Sequence, residues 1–137
     1  LPSSPDELSN FNTSAMSHTD PASLPVIVLC STDLMLISSV NGAAEASGFR
    51  FVSVNSIAAA VKQSSTADGS IICLDLSAAF CDPQTFAACA SPQQLARSIA
   101  FGPHVHTAKL EAARSAGIGR VMSRGQFVSG LANHFRA

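Results

Sequence analysis

One stretch, SIICLDLSAAF over residues 70–80, places a lone carboxylate, Asp75, at the end of an apolar run. Such an acid can do one of two things. It can act as a nucleophile that accepts a group and forms a covalent intermediate, or it can accept backbone hydrogen bonds where a strand stops. We take the second role as the leading one. A second acid, Asp33, follows the run PVIVLC by way of Ser31 and Thr32, and His104 and His106 follow SIAFG. Ser31, Asp33, Asp75 and His104 are therefore the polar groups with which the chain could bind a small ligand.

Cys30, Cys73, Cys81 and Cys89 show no C-x-x-C spacing. Cys30 and Cys73 lie inside apolar runs, where cysteine serves as a small buried hydrophobe, and no structural zinc site is expected. His104 and His106 have no third ligand near them in sequence and are read as loop residues. The sharpest nucleophile and base pair is Cys30 with His104, since a thiol needs a neighbouring base or cation to ionise. The apolar setting of Cys30 favours a buried structural thiol instead. No G-x-G-x-x-G, P-loop or G-x-S-x-G motif occurs. We expect no enzyme, no bound metal and no cofactor.

The 137 residues are 47% hydrophobic and 12% charged and include neither Trp nor Tyr, so aliphatic residues and eight Phe must build the core. That length suits one domain without staples. No apolar run approaches the roughly eighteen residues that span a bilayer, and no basic-then-apolar leader is present, which predicts a cytoplasmic protein. Net charge is −1 but uneven. From Arg97 onward there are six basic residues (Arg97, Lys109, Arg114, Arg120, Arg124, Arg136) against Glu111 alone. Without aromatic interleaving or adjacent basics, this reads as solvated helix surface and not as a nucleic-acid footprint.

The elements that must position these groups follow from periodicity. Residues 1–23 are polar and aperiodic and read as a flexible leader in which Met16 could be the start of translation. The domain proper is residues 24–137. PVIVLC forms a first strand, and LMLISSVNGAAEASG a helix packing through Leu34, Ile37, Val40 and Ala44 that stops at Gly48. FRFVSV is a second strand, and Asn55 caps the helix SIAAAVKQ. IICLDL is a third strand, and Asp82 with Pro83 opens a short helix; residues 93–98 give no clear pattern. SIAFG is a fourth strand ending at Gly102. AKLEAARSAG is a helix packing through Ala108, Leu110, Ala113 and Ala116, RVM a fifth strand, and GQFVSGLANHF a last helix with Phe127, Leu131 and Phe135 on one stripe.

Five apolar strands alternating with five helices predict an α/β, flavodoxin-like (CheY-like) three-layer sandwich, with a five-stranded parallel sheet in the order 2-1-3-4-5 and helices on both faces. Asp33, Asp75 and Gly102 then meet at one crevice beyond the carboxyl ends of the strands. Residues 25–135 resemble the receiver domain of bacterial two-component response regulators, through that alternation, the strand ending in Asp75, and SAGIGRVMSRGQF. The stretch IAFGPHVHTAKLEAARSAGIGRVMSRGQF more narrowly resembles divergent, pseudo-receiver-like proteins. The resemblance implies a phosphoacceptor position at Asp75. It places the family's magnesium-holding acidic pair at Cys30 and Ser31, its Ser/Thr position at Gly102, and its Lys-Pro at Ser123 and Arg124. Only Asp75 keeps the family's residue.

The expected function is thus a degenerate receiver-like regulatory or protein-interaction module of a bacterial signalling system. It would dock on a protein partner or on a second copy through a face including Lys109, Arg114, Arg120 and Arg124, with no membrane or nucleic-acid role. One alternative is a working single-domain response regulator phosphorylated on Asp75, with magnesium held by Asp33 and Arg124 as the cation. A second is a small-ligand or enzymatic domain using the crevice.

Overall fold

The computed structural model describes residues 24–136. The leader over residues 1–23 and the start at Met16 lie outside the described residues. Five strands form one sheet: β1 (Val26–Cys30), β2 (Arg50–Val54), β3 (Ile71–Asp75), β4 (Ile99–Gly102) and β5 (Arg120–Ser123). Every pairing is parallel, and the order is β2-β1-β3-β4-β5, as the flavodoxin-like winding requires. The central strands VIVLC, IICLD and IAFG are buried at every residue. Near-continuous apolar runs are what a sheet covered on both faces demands. The edge strands β2 and β5 carry Arg50, Ser53 and Arg120 and are only partly buried.

On one face lie α1 (Leu34–Ala46), α6 (Arg124–Ser129) and α7 (Leu131–His134), and their Leu36, Val40 and Phe127 cover Ile27, Leu29 and Phe101. On the other lie α2 (Ile57–Ser64), α3 (Pro83–Cys89), α4 (Pro92–Arg97) and α5 (Thr107–Ser115), with Ile57, Phe86 and Leu110 over Val28, Leu74 and Ala100. Gly48 and Gly117 follow α1 and α5 with φ of 84° and 93°. That left-handed backbone suits glycine and ends both helices where the sequence places the stops. Among the described residues no helix is long and apolar enough to cross a membrane.

Several local expectations need correction. Among the described residues seven helical segments stand where five were expected. The unassigned stretch is α4, held by a capping box in which Ser91 Oγ accepts from the Gln94 amide and Gln94 accepts from the Ser91 amide. Ser56, not Asn55, caps α2, accepting from the Ala59 amide at 3.1 Å. The last helix breaks at Gly130, which sits at φ −115°, so Phe127 and Phe135 reach the core from separate segments. Leu34 is 79% exposed, because α1 presents Leu36, Val40 and Ala44 to the sheet one turn apart. Ala108 is likewise exposed, leaving Leu110 and Ala113 as the buried face of α5.

Candidate functional site

The crevice lies at the carboxyl ends of β1, β3 and β4, where Cys30 pairs with Leu74 and Asp75 with Phe101 in register. Successive residues of a strand face opposite sides of the sheet. Ser31 and Asp75 therefore share the α1 face, whereas Cys30 and Leu74 share the other. Ser31 Oγ donates to Asp75 Oδ2 at 2.6 Å. The Ser77 amide donates to Asp75 Oδ1 at 3.0 Å, and the Ala78 amide donates to the Asp75 carbonyl at 3.0 Å. With only 3% of its surface exposed, the Asp75 carboxylate has both oxygens occupied by neutral donors from its own chain. This satisfies the rule that a buried polar group must be paired. A hydroxyl has one proton to give. Ser31 gives it to Asp75 and uses a lone pair to accept the Asp33 amide at 3.1 Å.

Asp33 does not reach back toward Asp75. It caps α1, its Oδ1 accepting from the Leu36 amide at 3.1 Å, while its Oδ2 accepts from Arg124 Nη2 at 2.5 Å. The Leu36 amide, and after it the Arg124 guanidinium, hold the Asp33 carboxyl below the usual carboxylate range. Arg124, the first residue of α6, thus points into the crevice and spans 91 positions of sequence to reach the loop after β1.

Cys30 is buried completely and faces α2 and α3. A hydrogen bond with the Cys81 thiol, then burial, pushes its thiol far up, and Cys81 Sγ donates to the Cys30 carbonyl at 3.3 Å. Its hydrogen-bonding neighbour is a second thiol, not an imidazole. His104 lies exposed in the loop after β4. Burial, against a smaller pull downward from Arg120, pushes Cys73 on the opposite face up to about 12. Gly102 ends β4, and a Cβ there would stand 3.4 Å from Leu76 Cβ, an ordinary contact. Ser123 spends its hydroxyl on the Gln126 amide at 3.1 Å as the cap of α6.

The fold thus gathers Ser31, Asp33, Asp75 and Arg124 and leaves Cys30, His104 and Ser123 turned elsewhere. The rim also includes Lys109, whose Nζ donates to the Leu76 carbonyl at 3.2 Å. Sequence placed Lys109 on a docking face, because nothing local says that α5 leans against the loop after β3. The other basic residues named with it do not form one patch. Arg114 pairs with Glu111 at 3.2 Å, and Arg120 and Arg124 flank opposite ends of β5. Among the described residues no three His, Cys, Asp or Glu side chains gather as a metal-binding set.

No protein-family model and no curated protein matches the sequence. Solved structures do match. A response regulator from Hahella chejuensis aligns at TM-score 0.65 and 13% identity, over 81% of this chain and 92% of that one. A response regulator receiver domain from Rhodospirillum rubrum aligns at TM-score 0.59 and 10% identity, over 80% of this chain and 90% of that one. The fold is that of a response-regulator receiver domain. The phosphorylated cyanobacterial phytochrome response regulator RcpA is also similar, at TM-score 0.61 and 15% identity, over 83% of this chain and 90% of that one. In this receiver fold Asp75 occupies the end of the third strand, and Cys30 and Ser31 the end of the first.

Proposed function

We propose that this receiver-like domain is a regulatory interaction module of a bacterial two-component system, working through a protein partner or a second copy and not through magnesium-dependent phosphorylation of Asp75. The carrying observation is the state of the Asp75 carboxylate, buried and bonded on one oxygen by Ser31 and on the other by the Ser77 amide. Phosphoryl transfer to a carboxylate brings two anions together, which a hard cation held by further carboxylate oxygens makes possible. The donors at this place do not fit magnesium. Cys30 offers a buried thiol on the wrong face, Ser31 a neutral hydroxyl already committed, and Asp33 a carboxylate engaged by the Leu36 amide and Arg124.

Partner docking has its own support in the exposed apolar side chains that border the crevice. Leu34 and Met35 at the start of α1 are 79% and 82% exposed, and Val105 after β4 is 69% exposed. The competing reading, phosphorylation on Asp75, has RcpA in its favour, since that protein of the same fold was solved phosphorylated. Intact mass after incubation with acetyl phosphate and magnesium separates the two. We expect no added phosphoryl group while a control receiver is labelled in parallel. A gain of one phosphoryl that disappears in Asp75→Asn would overturn the proposal.

A further inference from the structure

At the opposite end of the sheet, where the strands begin, three guanidinium groups converge on a pocket that no carboxylate among the described residues lines. Arg97, Arg120 and Arg136 line an open pocket of about 240 Å³ together with Ile71, Asn133 and His134. The chain brings them together by backbone contacts. Arg97 ends α4, and Gly119, just before β5, packs so tightly on α4 that a Cβ would run into the Ala96 carbonyl oxygen. Only glycine allows that approach, which sets Arg120 beside Arg97, with the Gly119 amide donating to the Leu95 carbonyl at 2.9 Å and the Arg120 amide to the Ser98 carbonyl at 3.1 Å.

Neutral acceptors aim all three side chains. Arg97 donates to the Gly69 carbonyl at 2.9 Å and the Ser70 carbonyl at 3.4 Å, Arg120 to the His134 carbonyl at 3.3 Å, and Arg136 to Asn133 Oδ1 at 2.9 Å. A guanidinium carries five N–H donors in a planar fork, so most of the donors stay available, and no carboxylate among the described residues neutralises the charge. The ion pairs among the described residues involve Arg114 and Arg124, not these three. His134 contributes its carbonyl, because its ring Nε2 lies 3.2 Å from the Gln126 carbonyl.

Arg97 also lines an adjoining pocket of about 380 Å³ with a different character, containing Ser64, Ser65, Ser70, Ser91 and Asp68. Asp68 and the hydroxyl oxygens can accept from the hydroxyl groups of a ligand, and the Asp68 carboxylate repels its anionic end. We propose that the two pockets form a binding site for a small phosphate ester with a hydroxyl-rich body, a sugar phosphate or nucleotide. The phosphate lies among Arg97, Arg120 and Arg136, whose forks match phosphate oxygens, and the sugar lies toward Asp68. Asp75 closes the other end of β3, about 13 Å away at the usual rise per strand residue, so this site is separate from the crevice.

Amide NMR titration of the full chain at low salt tests the proposal, with ADP, glucose 6-phosphate, inorganic phosphate and glucose as probes. The esters should give saturable shifts at Gly69, Ile71, Arg97 and Arg120, with inorganic phosphate at least about tenfold weaker and glucose silent, a factor worth one good polar contact. Arg120→Gln and Arg136→Gln should each weaken ester binding about three- to tenfold. Among the described residues the Arg136 side chain bonds only to Asn133, one turn away, so its loss should leave the fold intact and keep the test readable. No saturable shift from either ester would overturn the site, and inorganic phosphate binding as tightly as the esters would overturn the ligand class. The combined variant Asp6→Asn, Glu7→Gln, Asp20→Asn supplies the last arm. If it moves the same resonances without any probe, the anion in the pocket is the chain's own acidic segment and the proposal fails.

Discussion

Replacing Ser31 by aspartate would put a second acid beside Asp75, and the structure sets what that should cost. Ser31 Oγ stands 2.6 Å from Asp75 Oδ2, so the new carboxylate would face Asp75 at about 4 Å or less. Two like charges at about 4 Å, with an effective dielectric of about 20, repel by about 4 kcal/mol. Protonating one of them at neutral pH, about three units above an ordinary carboxyl pKa, also costs about 4 kcal/mol, so neither route escapes the penalty. The lost Ser31 hydrogen bond adds about 1 kcal/mol. Without metal, Ser31→Asp should therefore melt about 15–20 °C below the parent, at roughly 4 °C per kcal/mol for a domain of this size.

Magnesium reverses the sign of the argument. A cation shared by the two carboxylates removes the repulsion, and at a hundred times its dissociation constant it returns about 2.7 kcal/mol. Thermal and urea unfolding with and without magnesium should show metal-dependent stability in Ser31→Asp and none in the parent, with Ser31→Asn separating size from charge. A Ser31→Asp protein as stable as the parent in chelator would refute the geometry assigned to Ser31 and Asp75. A parent stabilised by magnesium would refute the reading of the donor set.

Other outcomes follow from the same coordinates. Cys73, pushed up to about 12 by burial, and Cys30, pushed up by Cys81 and burial, stay neutral in the folded chain at pH values where unfolded thiols ionise. Stability is then complete below about pH 9 and falls as pH rises toward 12, by up to about 2.7 kcal/mol per pH unit for the two thiols together. Urea unfolding between pH 8 and 11 checks this without interference from tyrosine, which the chain lacks, and Cys30→Ala with Cys73→Ala should flatten the slope. Phe127→Ala removes a fully buried ring stacked 4.0 Å from Phe101 and edge-on to Phe135, and should cost about 3–5 kcal/mol in chemical denaturation. Gly102→Ser should change stability by less than about 1 kcal/mol, since its Cβ meets Leu76 at an ordinary 3.4 Å; a collapse of the fold would contradict that contact. Asp33, held low by the Leu36 amide and Arg124, supports the fold above the unfolded carboxyl range and loses that support as pH falls through its own lowered value, a loss Asp33→Ala should abolish.

The strands were legible because β1, β3 and β4 are buried on both faces, which writes them as unbroken apolar runs. Gly48, Gly117 and the Asp82-Pro83 cap were legible because each acts through its own neighbours. The contacts that define the crevice act across the chain. Ser31 and Asp75 are 44 residues apart and meet only because β1 and β3 pair in one register. Arg124 and Asp33 are 91 apart and meet because α6 follows the edge strand β5, three places from β1 in the sheet, and returns over the α1 face. Helix α4 escaped for another reason. PQQLAR has no apolar stripe, and its start lies in side-chain hydrogen bonds of Ser91 and Gln94 and its stop in those of Ser98 to the Leu95 carbonyl.

The charges at the two ends of the sheet explain why we place partner docking at one and ligand binding at the other. A lone buried carboxylate needs donors, and Asp75 finds them in Ser31 and Ser77 without calling for a cation. A serine hydroxyl suffices for one carboxylate, because no second acid stands beside Asp75 among the described residues to add the repulsion that calls for a cation. Arg124 pairs with Asp33 and ties α6 to the start of α1. Among the described residues, every acid of the crevice is therefore satisfied within the chain, and what the rim still offers a partner is apolar surface at Leu34, Met35 and Val105. At the other end the balance runs the opposite way. Arg97, Arg120 and Arg136 are positioned by carbonyl and amide oxygens that orient charge without cancelling it, so the attraction there is for an anion, and it should weaken as salt is added.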